Sequence, residues 1–344
     1  MAAMVEEAVG RALRRERVFR DRTNPLDAYC DTELRKRYRF SRRGCIYLIH
    51  LLRIDLEHPT GRSRALPASL QIFLALAFFA SGALLTTVGT MHGISIASTS
   101  RAIRRVTKAL FRRRNQFIKF PKSERDVLHI QEQFFAVAGF PKVVGVIDCT
   151  HVHLHGSKLK PIEHLYVNRK NRHSINVQLI CGPDFLISNV VARWPGSTHD
   201  SRILQMSRLA RKFEQREYKG ILLGDSGYPL LEWLMTPVLN PSTDQEKSYN
   251  NAHVKTRVKI EMLNGQLKNK FRCLIGHGLA MKPKRACDVI NACCILFNIS
   301  KKLREPDMED DIQVIDEADD AFHVAEYNIG GQAARSHIIN NFFV

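Results

Sequence analysis

The sequence predicts an α/β domain, a mixed sheet flanked by helices, preceded by an all-helical region. Three observations lead there. Residues 25–120 carry apolar positions at helical spacing. From about residue 140 the pattern changes to short, β-branched apolar runs bounded by Gly and Pro. Two of those runs end in an aspartate, and two long helical patterns close the region.

In order along the chain, DTELRKRYRFSRRGCIYLIHLLRIDL places Leu34, Tyr38, Ile46, Ile49 and Leu52 at mostly helical spacing. In GISIASTSRAIRRVTKAL, Gly93 is a turn signal and Ser98 a candidate N-cap. Ala102, Ile103, Val106, Ala109 and Leu110 then form an apolar back, and Arg101, Arg104, Arg105 and Lys108 a basic front. A short helix, a turn and such a helix match a helix-turn-helix DNA reader. A solvated basic face matches equally well. Ser123 and Asp126 predict a capped helix ending at Gly139. KVVGVIDCT is a buried strand ending near Asp148, and SINVQLICGPDFLISNVVARW a hairpin turning at GPD. THDSRILQMSRLARKF is a helix opened by Thr198, with Asp200 in its first turn. GILLGDSGYP is a second buried strand, and KTRVKIEMLNGQLKNKFRCL and KRACDVINACCILFNISKKL are helices. The limits are a basic arm over 1–24, a helical region over 25–122, the α/β domain over 123–304 and an acidic tail over 305–344, expected to be mobile.

Charge narrows the partners. The 344 residues carry a formal +18, yet Glu305 to Ala321 hold nine acids and no Lys or Arg. Removing that −9 leaves the remainder at +27. A body that basic suits double-stranded DNA or another polyanion; a merely soluble basic surface is the alternative. Eight cysteines without a Cys-x-x-Cys predict a reducing compartment and no structural zinc. Six arginines between Arg11 and Arg22, with no apolar stretch, predict no secretory signal. Ala65 to Ser100 lack charge, but Ser81, Gly82, Thr86, Thr87 and Gly89 break the run, so buried helices are expected and no membrane span.

Three carboxylates stand out: Asp148 and Asp225 at strand ends, and Glu261 on a late helix. Ile260, Leu263, Leu267, Phe271 and Leu274 form that helix's core face, which leaves Arg257, Glu261, Asn264 and Lys268 on another. Alone, Arg257 and Glu261 are an ordinary i, i+4 pair. Together, three clustered carboxylates repel and take up protons unless a cation neutralises them. Mg²⁺ or Mn²⁺ does so with few protein ligands, and two such ions clamp the attacking and leaving oxygens of a phosphoryl displacement. The rival is zinc on His151, His153 and His155, which share one face of a strand. Asp148 falls on the opposite parity, so the two sites do not coincide, and His153 and His155 are expected in solvent.

At these residues the sequence resembles the PIF/Harbinger family of DDE transposases and the nucleases domesticated from it. The matching stretches are GVIDCTHV, YVNRKNRHSINVQLIC, WPGSTHDSRIL, LLGDSGYPLLEWLMTP, YNNAHVKTRVKIEMLNGQLKNKFRCL and CCILFNIS, in the family's order. The resemblance implies an RNase H-like catalytic domain over 123–304 whose acidic triad is Asp148, Asp225 and Glu261, holding divalent metal, with two ions expected. It also implies cleavage at terminal inverted repeats, strand transfer into short AT-rich targets, nuclear localisation, at least a dimer on DNA, and a separate Myb/SANT-like accessory protein. A domesticated nuclease, or a DNA-binding protein with an idle catalytic domain, is the alternative. Asp200 is expected beside the triad as a helix-capping acid; His151 and His199 either position water or phosphate there or simply pack and hydrogen-bond near the site. Arg169, Lys170, Arg172, Lys268, Lys270 and Arg272 are expected on DNA backbone, with Arg257 and the basic front of the helix-turn-helix.

Overall fold

The computed structural model describes residues 23–57, 65–155, 159–276, 278–307 and 328–343. Helices α1 (Pro25–Ala28), α2 (Asp31–Tyr38) and α3 (Arg42–Leu56) open it. Leu34, Tyr38 and Leu52 are buried as expected, but Ile46 faces solvent. The core face of α3 is Cys45, Leu48, Leu52 and Leu56. Steps of three and four hold one side of a helix, whereas the steps of three through Ile46, Ile49 and Leu52 drift around it. Helix α4 (Ala68–Ser81) is buried on nearly every side, which accounts for its lack of charge. No described helix is long and apolar enough to cross a membrane.

Helices α5 (Leu85–Met91) and α6 (Ile96–Arg112) follow, with Gly93 at φ 63° in the turn between them. The cap of α6 is Ser95, whose Oγ accepts from the Ser98 N–H; Ser98 lies inside the first turn. The five apolar residues expected on its back are all buried. After α7 (Arg114–Phe117), α8 (Glu124–Ala138) starts on the Ser123 cap and ends at Gly139, as its sequence predicts.

Next come β1 (Val143–His153), α9 (Glu163–Tyr166), β2 (Ser174–Cys181), β3 (Ile187–Pro195), α10 (Asp200–Gln205), α11 (Arg208–Glu214), β4 (Ile221–Leu223) and β5 (Leu234–Met235). The strands lie in the order β3-β2-β1-β4-β5. The first three form an antiparallel meander, while β4 pairs parallel to β1, and β5 parallel to β4. The single helix expected from Thr198 is two. Ser207 interrupts it by capping α11 through the Ala210 N–H, and His199, not Thr198, precedes α10.

Helix α12 (Asp244–Lys270) starts well before Lys255, on a capping box formed by Thr243 and Glu246. Roughly 40 Å long, it packs against β1, β2 and β4. A 3₁₀ turn (Arg272–Leu274), α13 (Pro283–Lys302) and α14 (Ile329–Phe342) complete the chain. The tail expected after residue 305 therefore contains a helix. Helix α14 packs on α12 and β5, and Phe343 behind it meets Phe140 and Tyr249 with ring centroids at 5.5 and 5.7 Å. Residues 1–22 of the basic arm and residues 308–327, which hold most of the acidic run, lie outside the described residues.

One apolar core runs from the N-terminal helices through α13 to one face of the sheet; a smaller one fills the other face around Phe120, Phe213 and Tyr228. Asn298 of α13 joins these parts. Its amide donates to the Phe117 and Ile187 carbonyls at 2.9 and 2.7 Å and accepts from the Ile187 N–H at 2.8 Å.

Candidate active site

The position of Asp148 is set by where pairing changes, not by where its strand stops. Strand β1 runs on to His153 because β2 pairs with it that far, as His153 opposite Ser174 shows. The parallel pairing with β4 ends earlier, at Val146 opposite Leu223. Asp148 and Asp225 each lie two residues beyond that last pair. Two residues is one full period of a strand, so Asp148 leaves β1 on the face that carries Val146. Val146 and Leu223 both belong to the larger core. Asp225 is steadied from its own turn: Oδ1 accepts from the Gly227 N–H at 3.1 Å.

Helix α12 covers this face. Asn264 is fully buried, and its Nδ2 donates to Asp148 Oδ2 at 3.0 Å. Arg257 lies 3.7 Å from Asp148 Oδ1 and pairs one turn along with Glu261. One guanidinium thus stands between two of the three expected acids, with Asp148 15% and Glu261 46% exposed. The helix is anchored one turn earlier by His253, whose Nε2 donates to the Met235 carbonyl at 3.2 Å, next to the end of β4. Burial pushes the His253 imidazole down to about 4. Burial outweighs the Met235 and Gly224 backbone groups that favour its protonation.

The opposite face of β1 holds the other candidates. Asp200 accepts from Asn176 Nδ2 at 2.8 Å, and Asn176 also donates to the Thr198 carbonyl, which fixes the start of α10. Cys149 Sγ meets the Tyr228 hydroxyl at 3.2 Å. Burial, then Cys149, Asp200, Asp148 and Asp225, drive the Tyr228 phenol well above its ordinary range. His151 Nδ1 meets Ser174 Oγ at 2.9 Å, and the unbroken register from Val146 to His153 keeps it off the Asp148 face. His199 is exposed and accepts from Arg169 at 2.7 Å.

The basic residues divide into groups. Arg101, Arg104 and Lys108 are exposed along α6, while Arg105 turns inward to the Leu56 carbonyl at 2.7 Å. Arg169, Lys170 and Arg172 project from a turn fixed by Asn168, whose Oδ1 accepts from the Lys170 and Arg172 N–H groups at 3.0 Å each. Lys268, Arg272 and His153 line an open cavity, and His153 is half-buried where solvent was expected; His155 is exposed. Lys270 is 4% exposed, with Nζ 5.6 Å over the Phe40 ring, and burial lowers its amine to about 8. A side chain so enclosed ties α12 to the N-terminal helices.

The donors around Asp148, Asp225 and Glu261 are hard carboxylate oxygens, which fit Mg²⁺ or Mn²⁺ far better than softer metals. Among the described residues no three His, Cys, Asp or Glu side chains gather closely enough to hold an ion; Arg257 is the cation that Asp148 and Glu261 share. The roles of Asn264, His253 and Tyr228 escaped the sequence reading. Asn264 stood on the right helix face, but its partner lies 116 residues away. Tyr228 follows Asp225 by three residues, and its spacing gives no sign of its burial.

A family model described as DDE superfamily endonuclease matches residues 147–298, a span that contains all three acids. "Putative nuclease HARBI1" of Homo sapiens is 41% identical over 278 residues, covering 80% of this chain and 79% of the relative. The Xenopus laevis protein of the same name is 37% identical, with 85% and 83% covered. "Protein ALP1-like" of Arabidopsis thaliana is 26% identical, with 79% and 71% covered. No solved structure matches. With its mixed five-stranded sheet and these relatives, the chain belongs to the DDE endonuclease family of Harbinger transposases and the nucleases derived from them.

Proposed function

We propose that the chain is a metal-dependent DNA endonuclease of transposase type, working through Asp148, Asp225 and Glu261. The observation that carries this reading is the pair of aspartates two residues past the last β1–β4 pairing, beneath an α12 that holds Glu261 on the Asp148 side. The strand order, an antiparallel meander with two strands added parallel to its first, supports an RNase H-like domain. Asp148, Asp225 and Glu261 would hold the divalent ions, which when bound neutralise phosphate charge and activate the attacking oxygen. Asn264 keeps one Asp148 oxygen in place, and Arg257 balances Asp148 and Glu261 until phosphate competes for its guanidinium. Asp200 fixes Asn176 and α10 behind the site and is a positioning residue.

The DNA-facing assignment follows exposure. Helices α5 and α6 with the turn at Gly93 support a helix-turn-helix reading, with Arg101, Arg104 and Lys108 toward DNA. Arg169, Lys170 and Arg172 form a second backbone contact. In this reading the 25–122 and 123–304 segments are the DNA-binding and catalytic units. The protein acts in the nucleus as at least a dimer on DNA, beside a Myb/SANT-like accessory protein. The substrate is DNA bearing terminal inverted repeats, with strand transfer into AT-rich targets; in a domesticated form the same chemistry serves a host role. Cuts are mapped on DNA carrying the repeats that flank the gene, in Mg²⁺, with and without the accessory protein. Cuts confined to repeat ends are the expected result. Uniform nicking of any duplex rejects repeat specificity, and no cutting under either condition rejects the nuclease.

A further inference from the structure

A cavity of about 870 Å³ lies between the N-terminal helices and the far end of the catalytic sheet. Its cations are graded by depth. Arg172 is exposed at the mouth, Arg272 and Arg285 are half-buried, and Lys268 is 6% exposed at the floor. Arg285 is aimed by two hydrogen bonds, to the Ser100 carbonyl at 3.2 Å and to Ser100 Oγ at 3.1 Å, at the start of α6. The walls are apolar, from Phe78, Leu84 and Leu85 on one side and Leu279 and Met281 on the other. His151, His153 and His155 line the β1 side.

That pairing of chemistries selects the occupant. Phosphate alone is matched by the cations but not by the apolar walls; an apolar peptide is matched by the walls but not by the cations. Imidazoles and apolar walls accept the faces of unpaired bases. Position agrees as well. Lys268 lies seven residues, two turns, beyond Glu261 on the same face of α12, roughly 10 Å along the helix. That is about three base steps at 3.4 Å per step.

We infer that this cavity receives the unpaired nucleotides of a DNA strand next to the cleavage point, cations on phosphates and walls on bases. The inference rests on the nuclease reading and adds to it a preference for frayed or overhanging ends. Its test separates the two by measuring binding without cleavage. The full chain is titrated in EDTA with a blunt duplex and with the same duplex bearing a three-nucleotide overhang that contains 2-aminopurine. Affinity is read by anisotropy at 0.15 M salt, and base unstacking by 2-aminopurine fluorescence. Expected are about tenfold tighter binding of the overhang and a fluorescence change on binding. Leu84→Glu, at a position 70% exposed at the rim, sets a carboxylate against the phosphates; it is expected to abolish the preference and leave blunt-duplex affinity within about twofold. Arg272→Gln is expected to weaken overhang binding several-fold. Equal wild-type affinity for both DNAs overturns the inference, and so does an overhang preference that survives Leu84→Glu, which leaves the cavity to a peptide or another ligand. An inactive nuclease that still prefers the overhang leaves the cavity assignment standing and refutes only the catalytic reading.

Discussion

Among the groups that hold Asp148 are the Asn264 amide at 3.0 Å and the Arg257 guanidinium at 3.7 Å. The first is fully buried and the second only partly, so the first constrains and the second exchanges. Replacing Asn264 by Ala removes a hydrogen bond to a charged group, at a cost of about 2 kcal/mol read by urea denaturation. Cleavage by that variant is expected to fall about tenfold while duplex affinity stays within twofold. His253 supplies a pH dependence with a definite sign. Its folded value is depressed to about 4, so the unfolded chain binds more protons between about 6.5 and 4, and stability falls as pH drops through that window. From pH 7 to pH 5 this one group costs about 2 kcal/mol. His253→Phe, compared with wild type by denaturant unfolding at both pH values, is expected to show a shallower loss by about that amount. Asp148 and Asp225 were legible as candidates because each follows a buried apolar run. Their partners were not, because no local pattern says which helix will cover which strand.

Among the elements, α12 and α14 differed most from expectation. The sequence predicts α12 only from Lys255, because Asp244 to His253 are polar and lack a continuous apolar stripe. Tyr249, Ala252 and His253 nevertheless face the core, and the capping box at Thr243 starts the helix. Helix α14 is hidden for another reason. It follows an acidic run and holds only Ile338 and Ile339 as buried apolar residues, with Phe343 beyond its end. Phe343 meets Phe140 and Tyr249, and so braces α12 near its N-terminal end. Phe343→Ala is expected to cost about 3 kcal/mol, measured by thermal or urea unfolding; an unchanged midpoint contradicts the packing role given to α14. Helix α6, by contrast, was legible almost residue by residue, since a strict apolar back and basic front leave one way to bury it.

For the molecule as a whole, the continuous core explains a feature that composition left ambiguous. The uncharged stretch from Ala65 to Ser100 resembles a membrane segment in parts, yet α4 is enclosed by α2, α3, α6 and the 3₁₀ turn after α12. The N-terminal helices and the sheet are therefore built against one another, and the cavity with Lys268 and Arg285 lies along their junction. No single stretch of sequence discloses that cavity, because its walls come from segments nearly 200 residues apart. The central claim is the proposal that Asp148 of β1, Asp225 beyond β4 and Glu261 of α12 act as one metal-dependent centre. Its most direct test is cleavage of labelled duplex in Mn²⁺ by wild type, Asp148→Asn, Asp225→Asn and Glu261→Gln, with duplex affinity measured alongside. The account predicts metal-dependent cleavage by wild type, at least a hundredfold loss in every variant and affinity within about threefold throughout. Cleavage by Asp225→Asn or Glu261→Gln at the wild-type rate contradicts it.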